Sequence, residues 1–471
     1  METTLAEISG KYNAQDRDLI ERAFEFAEHA HIGQNRLSGE PYIIHPLRVA
    51  ATIAELNLDA ETAAAALLHD VAEDADFPTS DIEKVFGKTV AFLVEGVSKL
   101  KRVDFTGEES KAENFRKMIL ATAQDIRVVF IKLADVLDNM QTLGVLSPDR
   151  QTRYSREVLE IYAPIAERLG IGWLKGKLED LAFPYIYPEE FKVLKSCVSE
   201  LVKENKRYIE ALTPTVARLL NEEKIRPVNL DSRVKHLYSL WKKLARHEND
   251  MVKIHDLVAL RIIVEDIPAC YAVLGTLHKN WTPLPGRIKD YIALPKPNGY
   301  RSLHTTVFCE DGKITEFQIR TPEMHREAEF GIAAHWAYKE KTGSFKPKLA
   351  WVEQLHEWQG SADPKEFLEN LRIDFFRDRI FVFTPKGDVI DLPEGATPID
   401  FAYAVHSDLG NRCSMAKVNS KPASFDTTLK NHDVVEIVTA KNKKPSSDWL
   451  TFVKTSKARG KIREALRPIN P

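Results

Sequence analysis

From about Asp16 to about Leu220 the apolar residues recur three and four positions apart, alanine and leucine abound, and strand-like runs are short. That spacing lines one face of a helix, so the stretch is committed to an all-α domain with a helical tail. Near Pro227 the texture changes. A helix is expected over RVKHLYSLWKKLARH, a strand over LVALRIIVE, a loop at ALPKPNGYRS, and two strands around Asp311-Gly312, a dipeptide that favours a hairpin turn. This second unit reads as α+β. Further on, the short strands in DRIFVFTPKGDVIDLP and DTTLKNHDVVEIVTA flank a helix, the order of a small β-grasp-like module.

The resulting boundaries are 1–150 for the helical domain, 151–225 for a helical connector and 226–340 for the α+β domain. A linker with one helix follows at 341–375, then the β-grasp module at 376–440 and the start of a cut helical region at 441–471. At 471 residues the chain exceeds what one ordinary core serves, and 44% hydrophobic with 29% charged residues is the composition of a folded protein. No apolar run is long enough to cross a bilayer, and the start lacks the basic-then-apolar order of a secretory signal, so a cytoplasmic location is expected. Cys197, Cys270, Cys309 and Cys413 form no Cys-x-x-Cys pair, which argues against both a disulfide framework and a zinc ribbon. A net charge of −3 argues against non-specific nucleic-acid binding by the whole chain.

Two segments carry chemistry. In ETAAAALLHDVAEDAD, a continuous helix would set His69 above Glu73 and Asp70 above Asp74 on one face. GEPYIIHPLRVA offers His45, and IKLADVLDNM offers Asp135 with Asn139 one turn on. Imidazoles together with carboxylates suit a divalent metal with open positions for water, such as manganese, iron or zinc.

In the α+β unit, Leu237, Leu240, Trp241 and Leu244 are expected to face the core, leaving a basic stripe of Lys235, Ser239, Lys242 and Arg246 with His236 and Lys243 beside it. Such stripes are usually only solvated faces. Asp256 opens the following strand and Arg261 lies further along it. In KITEFQIRT, alternation puts Glu316, Gln318 and Arg320 opposite Phe317 and Ile319. Asp256 and Glu316 supply two carboxylates, the minimum for holding magnesium and taking a proton from a hydroxyl. The loop PKPNGYRSLH adds Lys296, Asn298, Tyr300 and His304, and a tyrosine there suits stacking on a base. No Walker loop is present, so side chains must hold any phosphates.

The order His…His-Asp…Asp resembles the HD-type phosphohydrolases. Together with NRLSGEPYIIHP, RVKHLYSLWKK, DYIALPKPNGYRSLHTT, EFQIRTPEMHREAEFGIAAHWAYK and TPIDFAYAVHSDLGNRC, it is similar to the long RelA/SpoT homologues, which make and destroy (p)ppGpp. The resemblance implies an all-α HD-type hydrolase domain, an α+β nucleotidyltransferase-like synthetase domain and a β-grasp TGS domain. In the first, His45, His69, Asp70 and Asp135 would hold manganese, Glu73 and Asp74 would orient and deprotonate water, and Arg36 and Asn139 would contact the nucleotide. In the second, Arg233 and Arg261 would sandwich the adenine of ATP, and Lys235, Ser239 and Lys243 would hold its phosphates. Asp256 would bind magnesium, and Glu316 would help bind it or deprotonate the 3′-hydroxyl of GDP or GTP. Tyr300 would stack on guanine, with Lys296, Asn298, His304 and Gln318 nearby. In the third, His406 occupies the position that contacts uncharged tRNA on the ribosome. The chain is expected to be a version cut after the TGS domain.

Two departures stand out. Where the family usually reads LADRLHNM this chain has LADVLDNM, so Val136 and Asp138 replace a basic residue and a histidine, and Leu37 stands where a basic residue is common. These changes are expected to cost substrate affinity before chemistry. Competing expectations are a hydrolase-dominant member with a weak synthetase, and a catalytically silent tRNA or ribosome sensor.

Overall fold

Polar caps decide where many of the helices begin. Asn13 accepts from the Asp16 N–H ahead of α2 (Ala14–Ala30), and Asp59 accepts from the Thr62 N–H ahead of α4 (Ala60–Leu68), each contact contributing about 1 kcal/mol. The structure, a computed structural model, describes residues 4–74, 77–101, 124–246, 257–296, 298–338 and 379–466, without the side chains of Glu73, Asp74, Lys101, Arg246, Asp311 and 335–338. It divides into two units; the first carries the helical and α+β domains, and the second carries residues 379–466 among those described. The expected linker at 341–375 and Asp256 lie outside the described residues.

In the first unit, α4 contacts α2 and α3 (Ile44–Glu55), and α3 contacts α7 (Arg127–Gln141); between α4 and α7 the chain forms α5 (Val71–Asp74) and α6 (Thr79–Lys101), with α1 (Leu5–Ser9) at the start. The alanines of α4 let the backbones approach closely, and every residue from Thr62 to Leu68 is buried. The expected continuous helix through Asp74 is corrected by the structure: α4 ends at Leu68, His69 caps it, and α5 begins only at Val71. The reason is local. His69 Nδ1 lies 2.8 Å from the Ala66 carbonyl oxygen, which a continuing helix would assign to the Asp70 N–H. His69 and Asp70 therefore sit at a helix break instead of on helical stripes.

Downstream, α8 (Pro148–Glu157) runs through a π turn at Val158–Tyr162 into α9 (Ala163–Arg168). Pro164 has no N–H to continue an α ladder there. After α10 (Gly172–Ile186), the long α11 (Pro188–Glu222) buries Leu194, Val198, Ile209, Leu212, Val216 and Leu220 in the same core as Leu260, Phe317 and Ile319 of the sheet.

The sheet order is β1 (Asn229–Val234), β2 (Val258–Ile263), β6 (Ile314–Arg320), β5 (Leu303–Phe308), β3 (Thr282–Pro283), with β4 (Lys289–Asp290) also on β5. Among the described strands of this sheet, only β2 and β6 run parallel. The expected hairpin about Asp311-Gly312 forms between β5 and β6. The expected helix from Arg233 is corrected: Arg233 and Val234 close β1, and helix α12 covers only Leu237–Arg246. Main-chain pairing wins over helix propensity, because Arg233 pairs with Ala259 and the Lys235 N–H continues the ladder to the Leu257 carbonyl. As expected, Leu240 and Leu244 are buried, with Leu237 and Trp241 packed beside them.

Helices α13 (Ile267–Asn280) and α14 (Pro322–Phe330) complete this part. The α9–α10 turn seats against the end of α14: the Ile332 N–H donates to the Leu169 carbonyl at 2.9 Å. Gly331 has φ +55°, and a Cβ there would collide with the Leu169 carbonyl oxygen and the Gly170 carbonyl carbon. Glycine is required at that contact.

In the second unit, the hairpin of β7 (Arg379–Phe383) and β8 (Val389–Pro393) precedes α15 (Pro398–Val405) and α16 (Ser407–Asn411), and then the sheet β10 (Lys421–Ala423), β9 (Cys413–Val418), β11 (Val435–Thr439). The final helix, α17 (Ser456–Leu466), packs Ala458 and Ile462 on Ile399 and Tyr403 of α15. Asp400, fully buried, accepts from the N–H groups of Thr397, Lys454 and Thr455.

Candidate functional site

The helical domain gathers the expected metal-type residues from separate segments. His45, on α3, His69 and Asp70 at the α4 break, and Asp135 on α7 are at most 3% exposed. Ligand atoms of His45, His69 and Asp70 lie within 4.8 Å of one another. Asp135 Oδ1 lies 3.3 Å from His45 Nε2 and 3.9 Å from His69 Nε2, and His69 Nε2 lies 3.1 Å from Asp70 Oδ1. Two imidazoles and two carboxylates converging in a buried space fit a divalent cation, because Lys132, paired with Asp135, brings a single positive charge to the two buried carboxylates of Asp70 and Asp135. The backbone of Glu73 and Asp74 lies in α5, next to this group; their side chains are outside the described residues.

Three residues surround the cluster that were not expected to. Tyr42 donates its phenol to Asp70 Oδ2 at 2.9 Å and stacks on His31, while Lys132 donates to Asp135 Oδ2 at 2.8 Å. Tyr154 hydrogen-bonds Asn139, and burial together with Asp135 and Glu157 pushes its phenol well up. Tyr42 lies inside the GEPYIIHP string; nothing in the sequence pattern marks Tyr154.

Arg36, at the edge of the cluster, donates Nη1 to Asp138 Oδ2 at 2.7 Å and Nη2 to Asn139 Oδ1 at 2.5 Å. Asn139 in turn donates to Asp135 Oδ1 at 2.6 Å. The expected nucleotide contacts and metal-type residues thus form one connected network.

On the sheet, the polar face of β6 is covered instead of open. Gln318 and Arg320 are buried, and Arg320 is fully so. Its guanidinium lies 5.4 Å from the Tyr300 ring centre and donates Nη2 to the Tyr300 hydroxyl and to Gln318 Oε1. Its Nε and Nη1 have no hydrogen-bond partner among the described residues. Tyr300 and His304 Nε2 are 2.8 Å apart, and His304 Nδ1 is 3.1 Å from Glu316 Oε1, which also accepts from Gln318. Burial pushes the Tyr300 phenol up, but His304, Arg320 and Arg233 together pull it down to about 8.

Arg233 reaches Gln318 Oε1 at 3.4 Å, from the strand next to that of Arg261. Arg261 grips Asp231 with Nε and Nη2 at 2.7 and 2.8 Å and reaches Glu329 at 3.0 Å. Asn298 donates to the Glu167 carbonyl, and Lys296 lies over the rings of Tyr291 and Tyr300 at 4.9 and 5.1 Å. Ser239 donates to Glu179 at 3.3 Å; Lys235 and Lys243, off and on α12 respectively, are engaged with neighbours. The expected magnesium pair is placed only in part, since Asp256 is outside the described residues. In the second unit, His406 is exposed and caps α16, accepting from the Asp408 N–H through Nδ1 at 3.2 Å.

Comparison with known proteins gives three family matches in order: HD domain over 23–172, the region found in RelA/SpoT proteins over 232–343, and TGS domain over 380–439. The chain is 49% identical over 456 residues to a GTP pyrophosphokinase of Myxococcus xanthus, covering 95% of this chain and 60% of that protein. It is 49% identical to a guanosine-3′,5′-bis(diphosphate) 3′-pyrophosphohydrolase of Aquifex aeolicus (96% and 65% covered), and 48% identical to the bifunctional (p)ppGpp synthase/hydrolase SpoT of Escherichia coli K12 (95% and 64%). It spans less than two thirds of the length of each of these curated relatives. With three domain types in the expected order and close to half of its residues identical along nearly its whole length, the chain belongs to the RelA/SpoT family.

Proposed function

We propose that this chain is a bifunctional alarmone enzyme, which transfers pyrophosphate from ATP to the 3′-hydroxyl of GDP or GTP and hydrolyses (p)ppGpp back to GDP or GTP and pyrophosphate. The observation that carries this reading is that one unit holds both donor sets: the buried His45–His69–Asp70–Asp135 cluster, and the Tyr300–His304–Glu316–Gln318 group beside Arg233 and Arg261. Relatives named for each reaction align along nearly the whole chain.

In the hydrolase half His45, His69, Asp70 and Asp135 would hold manganese, which would lower the pKa of a water and offset phosphate charge. Glu73 and Asp74 orient and deprotonate the attacking water, Tyr42 keeps Asp70 oriented, and Arg36 with Asn139 holds the guanosine nucleotide. In the synthetase half Arg233 and Arg261 bracket adenine while Lys235, Ser239 and Lys243 hold phosphates. Tyr300 stacks on guanine, with Lys296 and Asn298 at the same loop and His304 and Gln318 fixing Glu316. Glu316 accepts the proton of the 3′-hydroxyl, whose oxygen bonds to the β-phosphorus of ATP as the bond to the departing AMP breaks. Asp256 and Glu316 would hold magnesium, which would offset the triphosphate charge, and positioning supplies much of the rate. His406, exposed on the TGS domain, contacts the acceptor end of uncharged tRNA on the ribosome. These nucleotide substrates place the enzyme's work in the cytoplasm.

The test is a pair of assays on the purified chain, ATP with GDP and magnesium, and ppGpp with manganese, each repeated with Glu316→Ala and Asp70→Ala. Wild type running both reactions, with Glu316→Ala losing only synthesis and Asp70→Ala losing only hydrolysis, is expected. A wild type silent in either assay overturns the bifunctional reading.

A further inference from the structure

Asp138 is one of the residues at which this chain departs from the pattern it otherwise follows, and it lies in the centre of the hydrolase network. Its side chain is 3% exposed. Oδ2 lies 2.6 Å from His45 Nδ1 and 2.7 Å from Arg36 Nη1; Oδ1 has Arg48 Nη1 at 3.7 Å, beyond hydrogen-bond reach, while Arg48 itself is gripped by Glu40. The two nitrogens of an imidazole face opposite ways, and a carboxylate only accepts hydrogen bonds. Held at Nδ1 by Asp138, the His45 ring donates there and turns the lone pair of Nε2 toward Asp135 and Asp70, at 3.3 and 3.6 Å. A lone pair aimed at two buried carboxylates is favourable only with a cation between them.

We propose that Asp138 is a positioning residue of the metal centre, setting the tautomer and angle of His45 while anchoring Arg36, an assignment that rests on the hydrolase reading above. The histidine usual at this position carries no fixed negative charge and is free to donate or accept. Asp138 removes that freedom, adds one negative charge beside the cation, and ties the nucleotide-side arginine to the metal side.

The experiment titrates the metal-free full chain with manganese, following the free-ion resonance signal, for wild type, Asp138→Asn and Asp138→His, with circular dichroism of the metal-free forms to verify folding. Both variants are expected to bind manganese 10- to 100-fold more weakly than wild type, the usual loss when a partner behind a ligand is removed. Variants that bind within twofold of a manganese-binding wild type overturn the role of Asp138 alone; a wild type that takes up no manganese overturns the hydrolase reading and this proposal with it. A measurement on wild type guards against variants that fail to fold: nitrogen-15 histidine spectra, with His45 identified by its loss in His45→Gln, should place the ring proton on Nδ1. A proton on Nε2 overturns the proposal.

Discussion

The Tyr300 hydroxyl lies 2.8 Å from His304 Nε2, and the same hydroxyl accepts from Arg320 at 3.1 Å, so one phenol oxygen is held between a ring nitrogen and a buried guanidinium. With the phenol pulled to about 8 in the fold, against about 10 in an unfolded chain, the native state has lost a proton between those pH values that the unfolded state still holds. Stability from this group is therefore complete above about pH 10, falls as pH drops toward 8, and is absent below it. The full span is roughly 2–3 kcal/mol. Tyrosinate absorbance should show one early-titrating tyrosine that disappears in Tyr300→Phe. Urea unfolding at pH 7.5 and pH 9.5 should show wild type gaining on that variant at the higher pH. A tyrosine titration with no component below the bulk would refute this.

Arg320 carries a charge into a fully buried position with two of its nitrogens unpartnered among the described residues. Removing such a charge for a side chain of similar volume is often neutral or stabilising. Arg320→Met should keep stability within about 1–2 kcal/mol of wild type. Synthetase activity should fall at least tenfold, because Tyr300 and Gln318 both lose a donor that orients them. Denaturant melts paired with synthesis rates decide it; a fully active variant would show that the arginine positions nothing.

Gly331 sits where a Cβ would meet the backbone of Leu169 and Gly170 at φ +55°, whereas Gly299 at φ +79° has open space around it. Gly331→Ala should cost about 3 kcal/mol or more, from both collision and strain. Gly299→Ala should cost about 1 kcal/mol, from the backbone conformation alone. Urea denaturation of the two variants side by side measures the difference, and equal losses would count against the tight seat at the α9–α10 turn.

Asp400 ties the chain at Lys454 and Thr455 to the start of α15, with Oδ1 also accepting from the Thr455 hydroxyl at 2.8 Å. Asp400→Ala leaves those buried donors without an acceptor and should cost about 3–5 kcal/mol in the second unit. Limited proteolysis should then cut near α17 first, since its attachment loses the clamp while its apolar contacts through Ala458 and Ile462 remain. Unchanged protection of that helix would contradict the assignment.

Much of this protein is legible in its residues taken in order. The three- and four-residue period of the first half, a strand within LVALRIIVE (found as Val258–Ile263), the Asp-Gly hairpin and the alternation of β6 are local rules, and each holds. The spacing of Asp135 and Asn139 puts them one helical turn apart, and they are hydrogen-bonded across that turn. Where local rules fail, a longer-range or competing partner prevails: the His69 side chain takes the carbonyl that would have continued α4, and pairing with Ala259 draws Arg233 into β1, with the Lys235 N–H held by the Leu257 carbonyl just past its end.

The sequence by itself determined the domain order, the helical and α+β character of each part, and which residue types were available for metal and nucleotide chemistry. Only the tertiary structure decided how they meet. Asp138 is 93 residues from His45 and 102 from Arg36, and Arg320 reaches Tyr300 across 20 residues. Periodicity reports which face a side chain is on but not what stands opposite. An imidazole's donor nitrogen and a buried guanidinium's partners are set by contacts between elements, which fold together only when their apolar faces pack.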